Sequence, residues 1–229
     1  MEQAAPHTLP RTATRPAVAL ALALLLGLAC GSNPIARSDT PIEIEGLSAD
    51  ALAAMAVVEE LQNAMIAIML QGPELGYQGR FDAMSAVARA SFDIPAMARA
   101  SYGPGFKDLG PDQQRQWIAI YERFHISSLA DVRDAYSGQT YVILDASEPQ
   151  QGIVMIGSKL DYPGRNVDLY RDYRLRSGSR GWRIIDVYDP PSVSEVAMRR
   201  AEYRTVLERS GFEGLIEEME SRIRRRERP

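Results

Sequence analysis

Residues 166–188 read NVDLYRDYRLRSGSRGWRIIDVY, and this stretch decides the fold. Up to Arg176 the residues alternate: Leu169, Tyr173 and Leu175 share one face, Asp172 and Arg174 the other. A period of two belongs to a half-buried strand. Residues 177–181, SGSRG, are turn chemistry, and residues 182–188, WRIIDVY, resume a strand rich in aromatic and β-branched side chains. Two strands joined by so short a loop pair antiparallel. Pro190-Pro191 ends the second.

Working back toward the N-terminus, residues 140–146 and 152–160 have the same strand character, and Asp161-Tyr162-Pro163-Gly164 supplies a turn after them. Before residue 140 the period is helical. Ser48 caps a helix with Asp50 in its first turn. Leu52, Met55, Val58, Leu61, Met65 and Ile68 then recur at steps of three and four, up to a stop near Gly72-Pro73. A second helix is expected over residues 81–91, with Phe81, Met84 and Ala88 on one face. Asp93 opens a short third helix whose first turn holds Pro95. Gly110-Pro111-Asp112 opens a long one, with Trp117, Ile120, Phe124 and Leu129 as its stripe and Ile126 and Val132 broadening it. After the sheet, helical periodicity returns from Val193 to about Arg209, Gly211 is a natural stop, and a last helix from Glu213 runs into the basic stretch 222–228. Helices, then consecutive antiparallel strands, then helices make an α+β domain: a curved sheet of about four to five strands with N- and C-terminal helices on one face. No internal repeat and no second linker is visible.

The first residues are processing signals. Arg11 and Arg15 precede residues 17–29, AVALALALLLGLA, an apolar run too short for the roughly 20 residues a membrane span needs. It fits the apolar core of an export signal, so residues 1–29 are assigned to a signal peptide. Cys30 follows directly, where a bacterial lipoprotein carries its lipidated cysteine, although Gly27 stands where such signals usually have Leu. The alternative is ordinary cleavage near Ala29, since Gly27 and Ala29 are both small. Lipidation is favoured because the chain places its one cysteine here, with no partner for a disulfide. Residues 30–47 then form a linker; fully extended, residues 31–46 would reach about 50 Å. The domain proper is assigned to residues 48–221 and a basic tail to 222–229.

Composition narrows the function. One Cys and two His leave too few ligands for a zinc site of that kind, and a net charge of −4 gives no basic surplus for nucleic acid. Charged residues alternating with apolar ones, such as Asp172 and Arg174, usually face water. A catalytic reading of Asp172, Arg174 or Asp186 competes with an ion-paired strand face, and no Ser–His–Asp order supports His125 as a base.

Several segments resemble one known family in order and spacing. Residues 92–99, FDIPAMAR, are similar to its FD-x-x-x-MAR segment, with Gly103 following. Gln114-Arg115-Gln116-Trp117 with Tyr121 resembles its Q-R helix, and Tyr136-Ser137-Gly138-Gln139 its Y-x-G-Q segment. Residues 172–176, DYRLR, and 181–187, GWRIIDV, resemble its last strand pair, and Gly211-Phe212-Glu213-Gly214 closes the pattern. On these motifs the chain resembles the MlaC or toluene-tolerance auxiliary family from about residue 49 to residue 219. Pro104-Gly105-Phe106, Pro191-Ser192 and His125 depart from it.

The resemblance implies a nuclear-transport-factor-2-like cone of sheet and helix enclosing an apolar cavity for phospholipid acyl chains. It implies no cofactor besides the lipid cargo. It implies exchange with an inner-membrane ABC transporter bearing a substrate-binding ring and with an outer-membrane lipoprotein complex. The expected lining is Met97, Trp117, Ile120, Phe124, Ile143, Ile156, Tyr173, Leu175, Trp182, Ile184 and Val193, with ordinary helix–sheet core as the competing role for the same side chains. A small enzyme on a similar cone and a purely structural lipoprotein are the other two readings. The basic stretch after Arg222 either meets anionic headgroups or complements a helix end.

Metabolic labelling with a fatty acid tests Cys30. Label is expected on the full chain and absent from Cys30→Ser; equal labelling means ordinary cleavage and a soluble protein.

Overall fold

The computed structural model describes residues 40–131, 136–164, 169–189 and 192–227. The signal segment, Cys30, most of the linker, Val132, Pro190-Pro191 and Arg228 lie outside them.

Among the described residues four helices and five strands follow in the order α1 (Ala49–Ser91), α2 (Ile94–Tyr102), a 3₁₀ turn (Pro104–Asp108), α3 (Pro111–Ala130), β1 (Thr140–Gln150), β2 (Ile153–Asp161), β3 (Leu169–Gly178), β4 (Gly181–Asp189), β5 (Val193–Ser194) and α4 (Glu195–Glu227). The strands pair in sequence order, each antiparallel to the next. The architecture is therefore α+β, with an antiparallel meander between helical segments. The register slips between Ile143 and Asp145 in β1 and between Ile184 and Asp186 in β4, where Ile185 has no partner on β3. Such bulges bend and twist a strand, which gives the sheet its curve.

Several boundaries differ from the sequence reading. The first helix does not stop at Gly72-Pro73. It continues to Gly76, the one residue of α1 with non-helical angles (φ 62, ψ −178). Carbonyls freed at a bend need donors. Arg80 supplies them, Nη1 to the Gly72 carbonyl at 3.1 Å and Nε to the Ala130 carbonyl at 3.0 Å, so one side chain ties the bend to the end of α3. The hairpin loop is tighter than expected, with Gly178 paired to Gly181. Val193 does not begin a helix. It pairs with Asp189 as part of β5 and is 49% exposed.

Asp186 explains why α4 starts where it does. Its Oδ1 accepts the Val187 amide at 2.9 Å and the Val196 amide at 3.1 Å, and its Oδ2 accepts the Ser194 hydroxyl at 2.6 Å. Ser194 Oγ in turn accepts the Ala197 amide at 2.9 Å. A strand carboxylate thus caps the helix that follows it. A second stitch joins the helices to β4: the Asp93 amide donates to the Ile184 carbonyl at 2.9 Å, where Phe92 bridges Ile184.

The helical layer closes on an aromatic core. Trp117 is fully buried, donates Nε1–H to the Ala98 carbonyl at 2.7 Å, and meets Tyr203 and Tyr102 edge-on at 5.2 and 5.3 Å. Each such pair adds about 0.5–1.5 kcal/mol beyond the area it buries. The basic tail is not a separate element. Leu215, Met219 and Ile223 continue one buried stripe of α4 at steps of four, Arg222 pairs with Glu218 at 2.7 Å and with Glu202, and the Arg226 guanidinium lies 4.6 Å from the Phe124 ring centre. Long basic side chains lay their stems along apolar surface, which carries the helix past Arg222.

His125 sits inside this core, 4% exposed, edge-on to Phe92 at 4.6 Å and stacked on Tyr121 at 6.2 Å. Its Nε2 has no hydrogen-bond partner. Burial holds its pKa below the ordinary 6.5; Glu195 opposes this shift and Arg199 adds to it.

Two predictions follow from this packing. Gly211 breaks α4 at φ 65 and ψ −168, angles that essentially only glycine adopts, and a Cβ there meets nothing within 4 Å. Gly211→Ala is expected to cost about 1–3 kcal/mol in urea unfolding, a purely backbone effect; an unchanged midpoint refutes it. For His125 the folded pKa lies below the unfolded one, so its contribution is fully present above about pH 6.5 and is lost as pH falls through that value. Stability should fall as the pH drops below about 6.5, and His125→Phe should flatten that part of the profile. Parallel profiles would show that other groups govern it.

Candidate functional site

The expected lining residues fall into three groups. Met97, Trp117, Ile120, Phe124, Ile156, Tyr173, Leu175, Trp182 and Ile184 are all buried in one continuous core between helices and sheet. Ile143 is buried too, but it also lines an open groove. Val193, on the two-residue β5, is exposed and lines neither the core nor that groove.

The open space lies elsewhere, along the seam where α1 crosses β1 and β2. One groove of about 530 Å³ is walled by Met55 and Gln62 of α1 on one side and by Tyr141 and Ile143, with Ile42 beside them, on the other. A second, of about 200 Å³, is walled by Met65, Met69 and Leu129 against Tyr141, Leu160 and Leu169. Tyr141 lines both. Leu169 shows why the second groove opens. It has the parity of Tyr173 and Leu175, so it stands on the inward face of β3, yet it is 47% exposed. At that end the helices stand off from the sheet across the groove.

A polar partition separates the two grooves. Gln62 donates to Ser158 Oγ at 3.0 Å, Ser158 donates to the Arg171 carbonyl at 3.2 Å, and the Tyr141 hydroxyl donates to Met65 Sδ at 3.6 Å. Gln62 and Ser158 are 3% and 1% exposed, so their hydrogen bond is what makes their burial tolerable. Burial raises the phenol of Tyr173, and its hydrogen bonds to Gln62 and Ser158 offset part of the shift. Tyr141 is likewise pushed up by burial. These phenols therefore stay protonated and act as hydrogen-bond groups rather than bases.

Little in the seam suits catalysis. Asp186 spends its carboxylate on the α4 cap, and neither it nor His125 lines either groove. Among the described residues no group of three or more His, Cys, Asp or Glu could hold a metal ion.

Sequence reasoning named Met65, Leu129 and Leu169 for their periodicity but not as site residues. It passed over Gln62 and Ser158. Their signal was present: Ser158 has the parity of Val154 and Ile156 on β2, a polar residue at an inward position, and Gln62 directly follows the buried Leu61. Such polar interruptions of a buried face mark partnered, specific sites.

Comparison with known proteins fits this geometry. No curated protein matches the chain. Among solved structures, a phospholipid-binding protein from Ralstonia solanacearum, solved in complex with a phospholipid, superposes with a TM-score of 0.64 at 20% identity, covering 76% of this chain and 99% of that one. At that identity the likeness shows the fold. The family model of the MlaC protein matches residues 59–221, most of the chain and all of the sheet, and the chain therefore belongs to the MlaC family.

Proposed function

We propose that this protein binds phospholipid by its acyl chains in the seam between α1 and the sheet, and carries lipid between membranes. The observation that carries the reading is the uncovered apolar end of the sheet, where Leu160 and Leu169 face Met65, Met69 and Leu129 across open space. An acyl chain costs about 0.8 kcal/mol per methylene in water, about 12 kcal/mol for sixteen carbons. A carrier needs an apolar enclosure and no chemistry. Methionine walls adapt to chains of differing shape, and Met65 and Met69 are the movable part of this one. Arg171 and Tyr162 at the rim of the same groove suit a headgroup left near solvent. The phospholipid bound by the structural neighbour, and the family, support the same ligand.

The transport role rests on family membership. The reading places the protein in the periplasm, exported by the signal at residues 1–29 and tethered through Cys30. There it exchanges lipid with an inner-membrane ABC transporter bearing a substrate-binding ring and with an outer-membrane lipoprotein complex. The competing reading is a structural lipoprotein filled by its own side chains. It draws on the solid packing of Trp117, Ile156 and Leu175.

Lipid content decides between them. The mature domain, exported by a bacterial host and purified without detergent, is expected to yield stoichiometric phospholipid on solvent extraction and mass spectrometry. Met65→Glu places a charge on a half-buried wall of the seam. It should cut the loaded fraction at least tenfold while circular dichroism stays unchanged. A lipid-free wild type, or a folded variant loaded as fully as the wild type, would rule out the seam.

A further inference from the structure

The end of the domain away from the seam carries a different surface. Gln114 and Leu129 stand near opposite ends of α3, about 22 Å apart at ~1.5 Å per residue. Arg176 and Leu169 are similarly separated along β3, by about 23 Å. Leu129 and Leu169 line the seam, whereas Gln114 and Arg176 line a groove of about 700 Å³ beside the 3₁₀ turn. Across Pro104, a second groove of about 720 Å³ runs along α4. The two present five cations, Arg99, Lys107 and Arg176 in the first and Arg200 and Arg204 in the second, against one carboxylate, Asp108. That is a local surplus of positive charge on a chain whose net charge is −4.

The cations of the first groove are positioned but largely unneutralised. Arg99 lies over the Phe106 ring with its guanidinium carbon 5.9 Å from the centroid, and neither Arg99 nor Lys107 pairs with a carboxylate among the described residues. Arg176 shares Asp93 with Arg180, at 3.0 and 3.7 Å. Of the neighbouring pair, Arg200 donates Nε–H to the Ala100 carbonyl at 2.8 Å, and Arg204 meets Glu208 at 3.8 Å where both are well exposed. The loop between them is held in place. Gln114 donates to the carbonyls of Phe106 and Leu109 at 3.2 and 3.0 Å, and Phe106 is buried beneath it. Pro104-Gly105-Phe106 is also where the chain departs from the family pattern.

We infer that the groove lined by Arg99, Lys107 and Arg176 is a binding site for a phosphate oxyanion, separate from the seam. Arg99 and Lys107, neither paired with a carboxylate among the described residues, stand in one groove with Arg176, which shares its Asp93 partner with Arg180, and together they offer the charge and the N–H donors that phosphate takes. A turn already ordered loses little entropy when the anion arrives. The phosphate can belong to a lipid headgroup at a bilayer surface or to a soluble phosphate. The site does not depend on the seam holding lipid.

The test uses the mature domain and the double variant Arg99→Gln/Lys107→Gln, both positions being exposed. Inorganic phosphate, against chloride at equal ionic strength, is expected to shift the backbone amide resonances of Gly103, Gly105 and Phe106 in the wild type and not in the variant. Flotation with vesicles of phosphatidylcholine containing phosphatidylglycerol separates the sources. Near an anionic surface each basic residue is worth about 1 kcal/mol, so losing two should weaken flotation about thirtyfold. Flotation lost in the variant assigns the groove to headgroups; a phosphate response without flotation assigns it to a soluble phosphate. A wild type that shows neither, or a response that survives both substitutions, overturns the site. The lipid content of the variant, read by mass spectrometry, reports on the seam independently.

Discussion

The helices cover only part of the inward face of the sheet, and most of what is distinctive in the structure depends on that partial cover. Where Phe92 bridges Ile184, with Met97 and Leu175 buried in the same cluster, the interface is solid. Beyond Gln62 and Ser158 the helices lift away, and side chains that would otherwise be core become the wall of a groove. The same inward row of β3 thus passes from buried Leu175 to half-exposed Leu169 within a few residues. Strand period alone would make these positions equivalent; the reach of the helical layer makes them different.

That reach is set by two stitches on β4. Asp93 ties the junction of α1 and α2 to Ile184, and Asp186 caps α4 from the adjoining stretch of the same strand. Both fix helices to one edge of the sheet. On the other side, α1 leans on β1 and β2 through Gln62–Ser158 and Met65–Tyr141, one buried hydrogen bond and one soft sulfur contact. Asp186, which pattern alone could offer as a catalytic acid, is thereby accounted for as architecture.

The sequence was most informative where local chemistry and tertiary packing agree. Strand alternation at residues 169–176, the Ser48 cap and the helix-breaking role of Gly211 were all legible, because each follows from dihedral preference or period. The bend at Gly76 was not. Gly72-Pro73 is the stronger local stop, and only the distant Arg80 makes it unnecessary. Arg222 onward read as a tail because its composition is polar, whereas the burial of Ile223 is a tertiary fact. Apolar character marks the core as readily as a cavity, and most of the expected lining residues are core. What separates the two is which end of a strand a helix leaves bare, and no short-range pattern encodes that.

The segment before α1 has a mechanical consequence. The Ile42 amide donates to the Ile143 carbonyl at 3.0 Å, and Ser48 contacts Glu148, so the incoming chain lies against edge strand β1, beside the larger groove. Any tension transmitted through the preceding residues is therefore applied first to the wall of that groove. Peeling the segment away would strain the Ile42–Ile143 hydrogen bond and the Ser48–Glu148 contact, both made to β1, so a pull along the segment loads the rim of that groove.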